Sequence, residues 1–179
     1  ADRWLLAQFS NGNGVCVAVS QTPDPTGAYY GYEFTMPSFP DYFKIGVWSN
    51  AYYMSANENS YSAIALDRAK MLAGQAATFI RFTPASATNF LMPATVVGPT
   101  PPGASDPGIF YTFFNNSFHG GADRIEFFHF APDWTTPANS TYTLASSVPL
   151  TSFTYTVCGF FVLNCIPQGG TTQKVDAVS

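Results

Sequence analysis

Phe43-Lys-Ile-Gly-Val-Trp-Ser-Asn-Ala-Tyr-Tyr-Met-Ser-Ala-Asn-Glu-Asn-Ser-Tyr-Ser-Ala-Ile-Ala-Leu-Asp67 decides the fold. Short apolar runs follow one another here, split by Ser-Asn and Glu-Asn-Ser, and each is too short for a stable helix. The first run, residues 43–48, is small and almost continuously apolar, as expected of a strand packed on both faces. The second and third, residues 51–57 and 62–66, lie across an Asn-rich turn and read as a hairpin. A fourth, Ala77-Thr-Phe-Ile-Arg-Phe82, follows a turn that carries Asp67 and Gly74. The stretch from Asp67 to Ala73 is long enough for one or two helical turns and no more.

The same succession recurs on either side. Second strands begin at Arg3-Trp-Leu-Leu-Ala-Gln-Phe, Ala51-Tyr-Tyr-Met-Ser-Ala-Asn and Gly108-Ile-Phe-Tyr-Thr-Phe-Phe, with starts 48 and 57 residues apart. That is close to the period of roughly 40 to 50 expected of four-stranded propeller blades. Third and fourth strands flank Asp-bearing turns at residues 15–34 and 124–144, and Leu91-Met-Pro-Ala-Thr-Val-Val reads as another first strand. The expected fold is therefore all-β, with about three four-stranded antiparallel propeller blades. The units are 1–42, 43–89 and 90–173, and 174–179 resembles a first strand of a further or shared blade. On this reading the array opens on a second strand and ends on a first. Rings of this kind hold about four to eight blades, so two copies associating into a six-bladed ring is the simplest closure.

Composition agrees. Aromatic residues make up 17% of the 179, and charged residues only 10%, against about 25% in ordinary domains. Aromatic and β-branched side chains suit pleated surfaces. The net charge of −4 with seven scattered basic residues argues against nucleic acid and against anionic membrane surfaces. No apolar run approaches the ~18 residues of a membrane-spanning helix. Cys158 and Cys165 are spaced for a local disulfide and Cys16 reads as a buried free thiol, which points to a secreted, extracellular or periplasmic protein. Asn115-Asn-Ser and Asn139-Ser-Thr fit the glycosylation pattern.

Val19-Ser-Gln-Thr-Pro-Asp-Pro-Thr-Gly, Phe39-Pro-Asp-Tyr-Phe-Lys-Ile-Gly-Val-Trp, Tyr52-Tyr-Met-Ser-Ala-Asn-Glu, Ala65-Leu-Asp-Arg-Ala-Lys-Met-Leu-Ala-Gly and Cys165-Ile-Pro-Gln-Gly-Gly-Thr-Thr-Gln-Lys carry a family likeness. Together they resemble large secreted bacterial proteins predicted to be β-propellers. The resemblance spans nearly the whole chain and implies a propeller fold, secretion and a continuation beyond this stretch. It supplies no catalytic residues.

Candidate chemistry follows from loop placement. Asp41, Tyr42, Asn57, Glu58, Asn115, His119 and Asp123 fall on connections expected to share one end of the array. Asp24, Asp67, Arg68 and Asp133 fall on the other. Asp41 and Glu58 form the best carboxylate pair for glycoside hydrolysis, with His119 as a base in an exposed loop; capping by Asp41 and solvation of Glu58 is the plainer alternative. With Asn57 the two acids would also suit Ca²⁺, although no dedicated metal motif is present. His129 alternates with Phe128 and Phe130, as a strand residue on a partly buried face would. Asp2-Arg3, Asp67-Arg68 and Asp123-Arg124 recur, as a clamp or as structural pairs. In Tyr29-Tyr30 and Tyr52-Tyr53 one ring of each pair is expected to face outward, where Tyr53 would stack on a sugar; packing between blades is the alternative. Tyr42, Asn57, Tyr53, Asn115 and Asp123 are the candidate binding residues, Asp41, Glu58 and His119 the candidate catalytic ones. Two functions follow: extracellular carbohydrate recognition, or a carbohydrate-active hydrolase or lyase. A fragment without stand-alone activity is a third.

Overall fold

A computed structural model describes residues 2–84, 90–153, 158 and 164–175. Among the described residues every strand pairing is antiparallel, and the strands fall into four sheets. β1 (Leu5–Phe9), β2 (Gly14–Ser20) and β3 (Tyr29–Thr35) form the first, in that order. β4 (Asp41–Val47), β5 (Tyr52–Asn57), β6 (Tyr61–Leu66) and β7 (Phe79–Phe82) form the second. β8 (Met92–Pro93), β9 (Gly108–Phe114), β10 (Arg124–Ala131) and β11 (Thr141–Pro149) form the third. β12 (Ile166–Pro167) and β13 (Lys174–Val175) pair only with each other. The all-β expectation is met, and each strand expected in the middle unit is present in order.

Three elements differ from expectation. β8 is two residues long because Pro93 has no N–H to continue a ladder. Beyond it the chain crosses between sheets: Ala94 N–H donates to the Ile109 carbonyl (2.8 Å), and Val96 N–H to the Val47 carbonyl (3.0 Å). Thr95 Oγ1 accepts from Val47 N–H at 3.2 Å, completing the stitch. β11 runs on to Pro149 through a register shift opposite Phe127 and Phe128. Lys174–Val175, expected to begin a further blade, pairs with Ile166–Pro167 instead.

The second sheet lies between the first and third. Strand alternation sends Tyr52, Met54, Ile64 and Leu66 to one face, where they meet Val15, Val17, Val19, Phe34, Met36 and Met71. Ala51, Tyr53, Ala63 and Ala65 point the other way, into a core with Phe110, Phe128 and Phe130. Tyr52 is 4% exposed and Tyr53 is 0% exposed, so neither ring faces outward; each serves a different core. Gly108 is required where β9 meets β5, since a Cβ there would overlap the Tyr53 ring.

α1 (Arg68–Leu72) is a single capped turn. Asp67 accepts from Lys70 N–H at 3.2 Å and pairs with the Lys70 ammonium at 3.6 Å, while Met71 drops into the first core. α2 (Asn116–His119) is shorter still.

Candidate functional site

Asp41, Tyr42, Asn57 and Glu58 lie at the β4–β5 pairing and the β5–β6 turn, and Asn115, His119 and Asp123 at the β9–β10 connection. Their side chains are mostly committed to the fold. Asp41 opens β4 opposite Asn57 of β5, and its carboxylate accepts from Tyr42 N–H at 2.9 Å. Tyr42 sits in the left-handed region (φ 53°) at the bulge that follows, 45% exposed, with the Lys44 ammonium 3.6 Å from its ring centroid.

Glu58 is neither a solvated loop end nor a free acid. Its side chain is 1% exposed and takes a bidentate contact from Arg81, Nη2 to Oε2 at 2.9 Å and Nε to Oε1 at 3.1 Å. Ser62 Oγ donates to the same Oε1 at 2.8 Å. A carboxylate buried against a guanidinium and a hydroxyl in this way is held as a structural partner of Arg81, with both of its oxygens engaged. The sequence could not expose this, since Arg81 lies 23 positions downstream on β7.

At the β9–β10 connection Asn115 is buried and donates through Nδ2 to the Phe153 carbonyl at 2.7 Å. Asp123 is buried too, and accepts from the backbone N–H groups of Asn116 and Phe153. Those N–H groups, Asn116 first, hold its carboxyl below the usual carboxylate range. His119 is half-buried on the turn rather than exposed, its ring edge-on to Phe114 at 5.4 Å. His129 lies on β10 as expected, but is exposed. Asp123 and Arg124 do not make a clamp: Arg124 reaches Glu126 at 2.8 Å and lies over the Phe114 ring at 3.9 Å.

The opposite end shows the same economy, with one exception. Asp24 accepts from the Thr26 hydroxyl and N–H, and Asp133 from the N–H groups of Thr135 and Thr136. These contacts, Thr26 hydroxyl and Thr136 N–H foremost, lower both carboxyls. The exception is a cleft of about 320 Å³ lined by Val47, Trp48, Ser49, Arg68, Val96 and Pro101. Trp48 closes β4 and is only 9% exposed, yet its indole Nε1 has no hydrogen-bond partner. Arg68 begins α1 and donates from Nη1 to the Ser49 carbonyl at 3.1 Å, while its buried Nε has no partner. No described carboxylate pairs with this guanidinium. Both donors are shut off from solvent, and each buried donor left unmet costs roughly 1–3 kcal/mol. Sequence reading placed Arg68 at this end but read Trp48 only as the close of an apolar strand.

Among the described residues no three His, Cys, Asp or Glu side chains converge as a metal site. Cys158 and Cys165 are disulfide-bonded, their Cα atoms 5.8 Å apart, a bond compatible with an extracellular setting. Cys16 is free but half-buried, on the open face of the first sheet, rather than buried. Among the described residues no helix is long and apolar enough to cross a membrane. No protein-family model, curated protein or solved structure matches the chain.

Proposed function

We propose that the chain is a three-blade stretch of a secreted β-propeller-type module that recognises extracellular carbohydrate without transforming it. One observation carries the reading. The acids expected to do chemistry, Glu58 and Asp123, are occupied as structural acceptors, while a cleft of about 320 Å³ lined by Val47, Trp48, Ser49, Arg68, Val96 and Pro101 stays open. A hydrolase needs a carboxylic acid and a second carboxylate free to act across one bond. A binding site needs convergent polar groups in a concave, partly apolar setting, and the cleft offers those. The propeller reading draws support from the face-to-face stacking of three sheets, the middle one covered on both faces.

Ring closure would use the outer faces of the first and third sheets. On the first sheet Leu6 is 54% exposed beside a groove of about 490 Å³ that includes Gln8, Cys16, Ala18 and Glu33. On the third, the half-buried rings of Tyr111 and Phe127 lie on the side away from the cores, 6.4 Å apart and tilted. A second copy, laying its third sheet on this first sheet and the reverse, would continue the stacking and close a six-bladed ring. Light-scattering mass at micromolar concentration is expected to give a dimer; a monomer at every concentration sinks the ring closure. For the function itself, the protein is applied to an array of plant and microbial polysaccharides with product analysis alongside. Retention without new reducing ends or unsaturated products is expected. Turnover that depends on Asp41 or Glu58 would overturn the reading, and so would retention of no glycan at all.

A further inference from the structure

We propose that the outer edge of β1 pairs with the β13 strand of a second copy, each copy extending the first sheet of the other; this deepens the ring-closure reading above and rests on it. The backbone shows which groups the edge offers. Ser20 N–H donates to the Trp4 carbonyl and Ser10 N–H to the Gly14 carbonyl, both at 2.9 Å, so the even-numbered residues here bond toward β2. The N–H and carbonyl groups of Leu5, Ala7 and Phe9 point the other way, and among the described residues no strand pairs with them. In the second sheet β4 lies at the corresponding place beside β5, and in the third β8 lies beside β9. β5 is buried from Tyr52 to Ala56 and β9 at every other residue, whereas β1 is exposed from Leu6 to Phe9. A row of unpaired backbone donors and acceptors is a template for another strand.

The edge calls for an antiparallel strand with apolar residues at alternate positions. On one flank the Phe9 ring touches Phe39 and Phe43, each at 5.0 Å, yet stays 44% exposed. On the other flank Leu6 is exposed as well. β13 matches this need. Lys174–Val175 pairs only with Ile166–Pro167, and Ile166 and Val175 are both exposed. A lone two-stranded hairpin is marginal in water, and one of two residues a side gains by joining a wider sheet. The sequence from Lys174 reads Lys-Val-Asp-Ala-Val-Ser, with Val175 and Ala177 alternating with Lys174 and Asp176. Within one chain β13 joins no larger sheet. A second copy that lays its third sheet on this first sheet carries its β13 to the same side of the ring. The exchange is reciprocal about a two-fold axis, so it closes at two copies rather than growing into a fibre.

The test combines amide hydrogen exchange with solution mass on the whole chain, from nanomolar to micromolar concentration. The amides of Leu5, Ala7 and Phe9 are expected to exchange slowly in the dimer and fast in the dilute monomer. Those of Leu6 and Gln8, bonded to β2, serve as the internal reference in both states. Ala7→Pro removes an N–H that β2 does not use, a place where an edge strand tolerates proline. It is expected to weaken dimerisation by about tenfold, the scale of one lost inter-strand hydrogen bond with its acceptor left unmet. Ala7→Ser keeps the N–H and is expected to dimerise as the parent does. Val175→Asp puts a charge at an exposed position, so the fold is kept, and dimerisation is expected to weaken similarly. Thermal unfolding of each variant separates a lost dimer from a lost fold, and exchange on the parent needs no variant. A dimer whose Leu5, Ala7 and Phe9 amides exchange freely overturns the proposal and leaves closure by sheet stacking intact. Undiminished dimerisation of Ala7→Pro or of Val175→Asp does the same. Protection of those amides in the monomer assigns the edge to the chain itself and also overturns it. A monomer at every concentration removes this proposal and ring closure together, and leaves carbohydrate recognition to the glycan array.

Discussion

The middle sheet has two faces built from the same strands, and the two meet their neighbours through different side chains, mainly aliphatic on one face and mainly aromatic on the other. Toward the first sheet it presents Tyr52, Met54, Ile64 and Leu66, and meets Val15, Val17 and Val19 with Phe34 and Met36 beside them. Toward the third it presents Ala51, Ala63 and Ala65 around Tyr53, and meets Phe110, Phe128 and Phe130. Around Tyr53 the three alanines leave room for the facing phenylalanines. Close packing demands this, because a core filled from both sides with large residues would strain and one filled with small residues would leave voids. The aromatic interface adds ring geometry to bulk: Tyr53 meets Phe110 edge-on at 5.6 Å, and Phe128 stacks on Tyr142 at 5.2 Å.

The largest expected effect comes from emptying the aromatic side. Phe110→Ala should cost about 3–5 kcal/mol, since Phe110 is fully buried and the facing alanines cannot fill the space. Urea unfolding of the variant measures this directly. A loss under 1 kcal/mol would mean that the interface relaxes and that the division of volume is unimportant. Next comes overfilling: Ala65→Leu should cost about 1–3 kcal/mol, because that position already faces phenylalanines. A neutral result would show spare room where complementarity predicts none.

The smallest effect at neutral pH concerns two tyrosines of that same interface. Burial holds both Tyr53 and Tyr142 protonated well past the usual phenol range. A folded pKa above the unfolded one, near ~10, means that this stability is fully present below pH 10 and is lost as pH rises above it. Thermal unfolding midpoints should therefore fall steeply above that pH. Tyr53 hydrogen-bonds Asn50 and accepts from Gly108 N–H, whereas the buried Tyr142 hydroxyl has no partner. Tyr142→Phe should accordingly leave neutral-pH stability unchanged or raised, and flatten the alkaline fall. A variant clearly less stable at pH 7 would contradict that contrast.

Much of this was legible in the residues, and the boundary has a physical cause. Period-two alternation and turn chemistry placed β4, β5, β6, β7, β9 and β10 because those signals are local. β8 was overextended because an apolar run does not reveal how far Pro93 interrupts pairing. Tyr53 was expected at a ligand because alternation tells which residues oppose each other, while only stacking tells that both faces are covered. The candidate acids failed for a related reason. Arg81 reaches Glu58 across two strands, and the Phe153 and Asn116 N–H groups reach Asp123 through the turn of a long chain, so their engagement depends on register. The cleft was missed because an unmet donor is a property of surroundings, which a one-dimensional pattern does not carry.

The stitch at residues 94–96 bears on how the molecule comes apart. It ties the second and third sheets by main-chain bonds, Val96 to Val47 and Ala94 to Ile109. The first sheet joins the second through side chains, among them the Tyr32 hydroxyl donating to the Met71 carbonyl at 3.0 Å. Opening of the first sheet need break few directional bonds, whereas parting the other two must also unzip backbone. In exchange experiments the amides of β1–β3 should therefore open as an early, separate unit, leaving a two-sheet remnant that persists longer and from which refolding can restart.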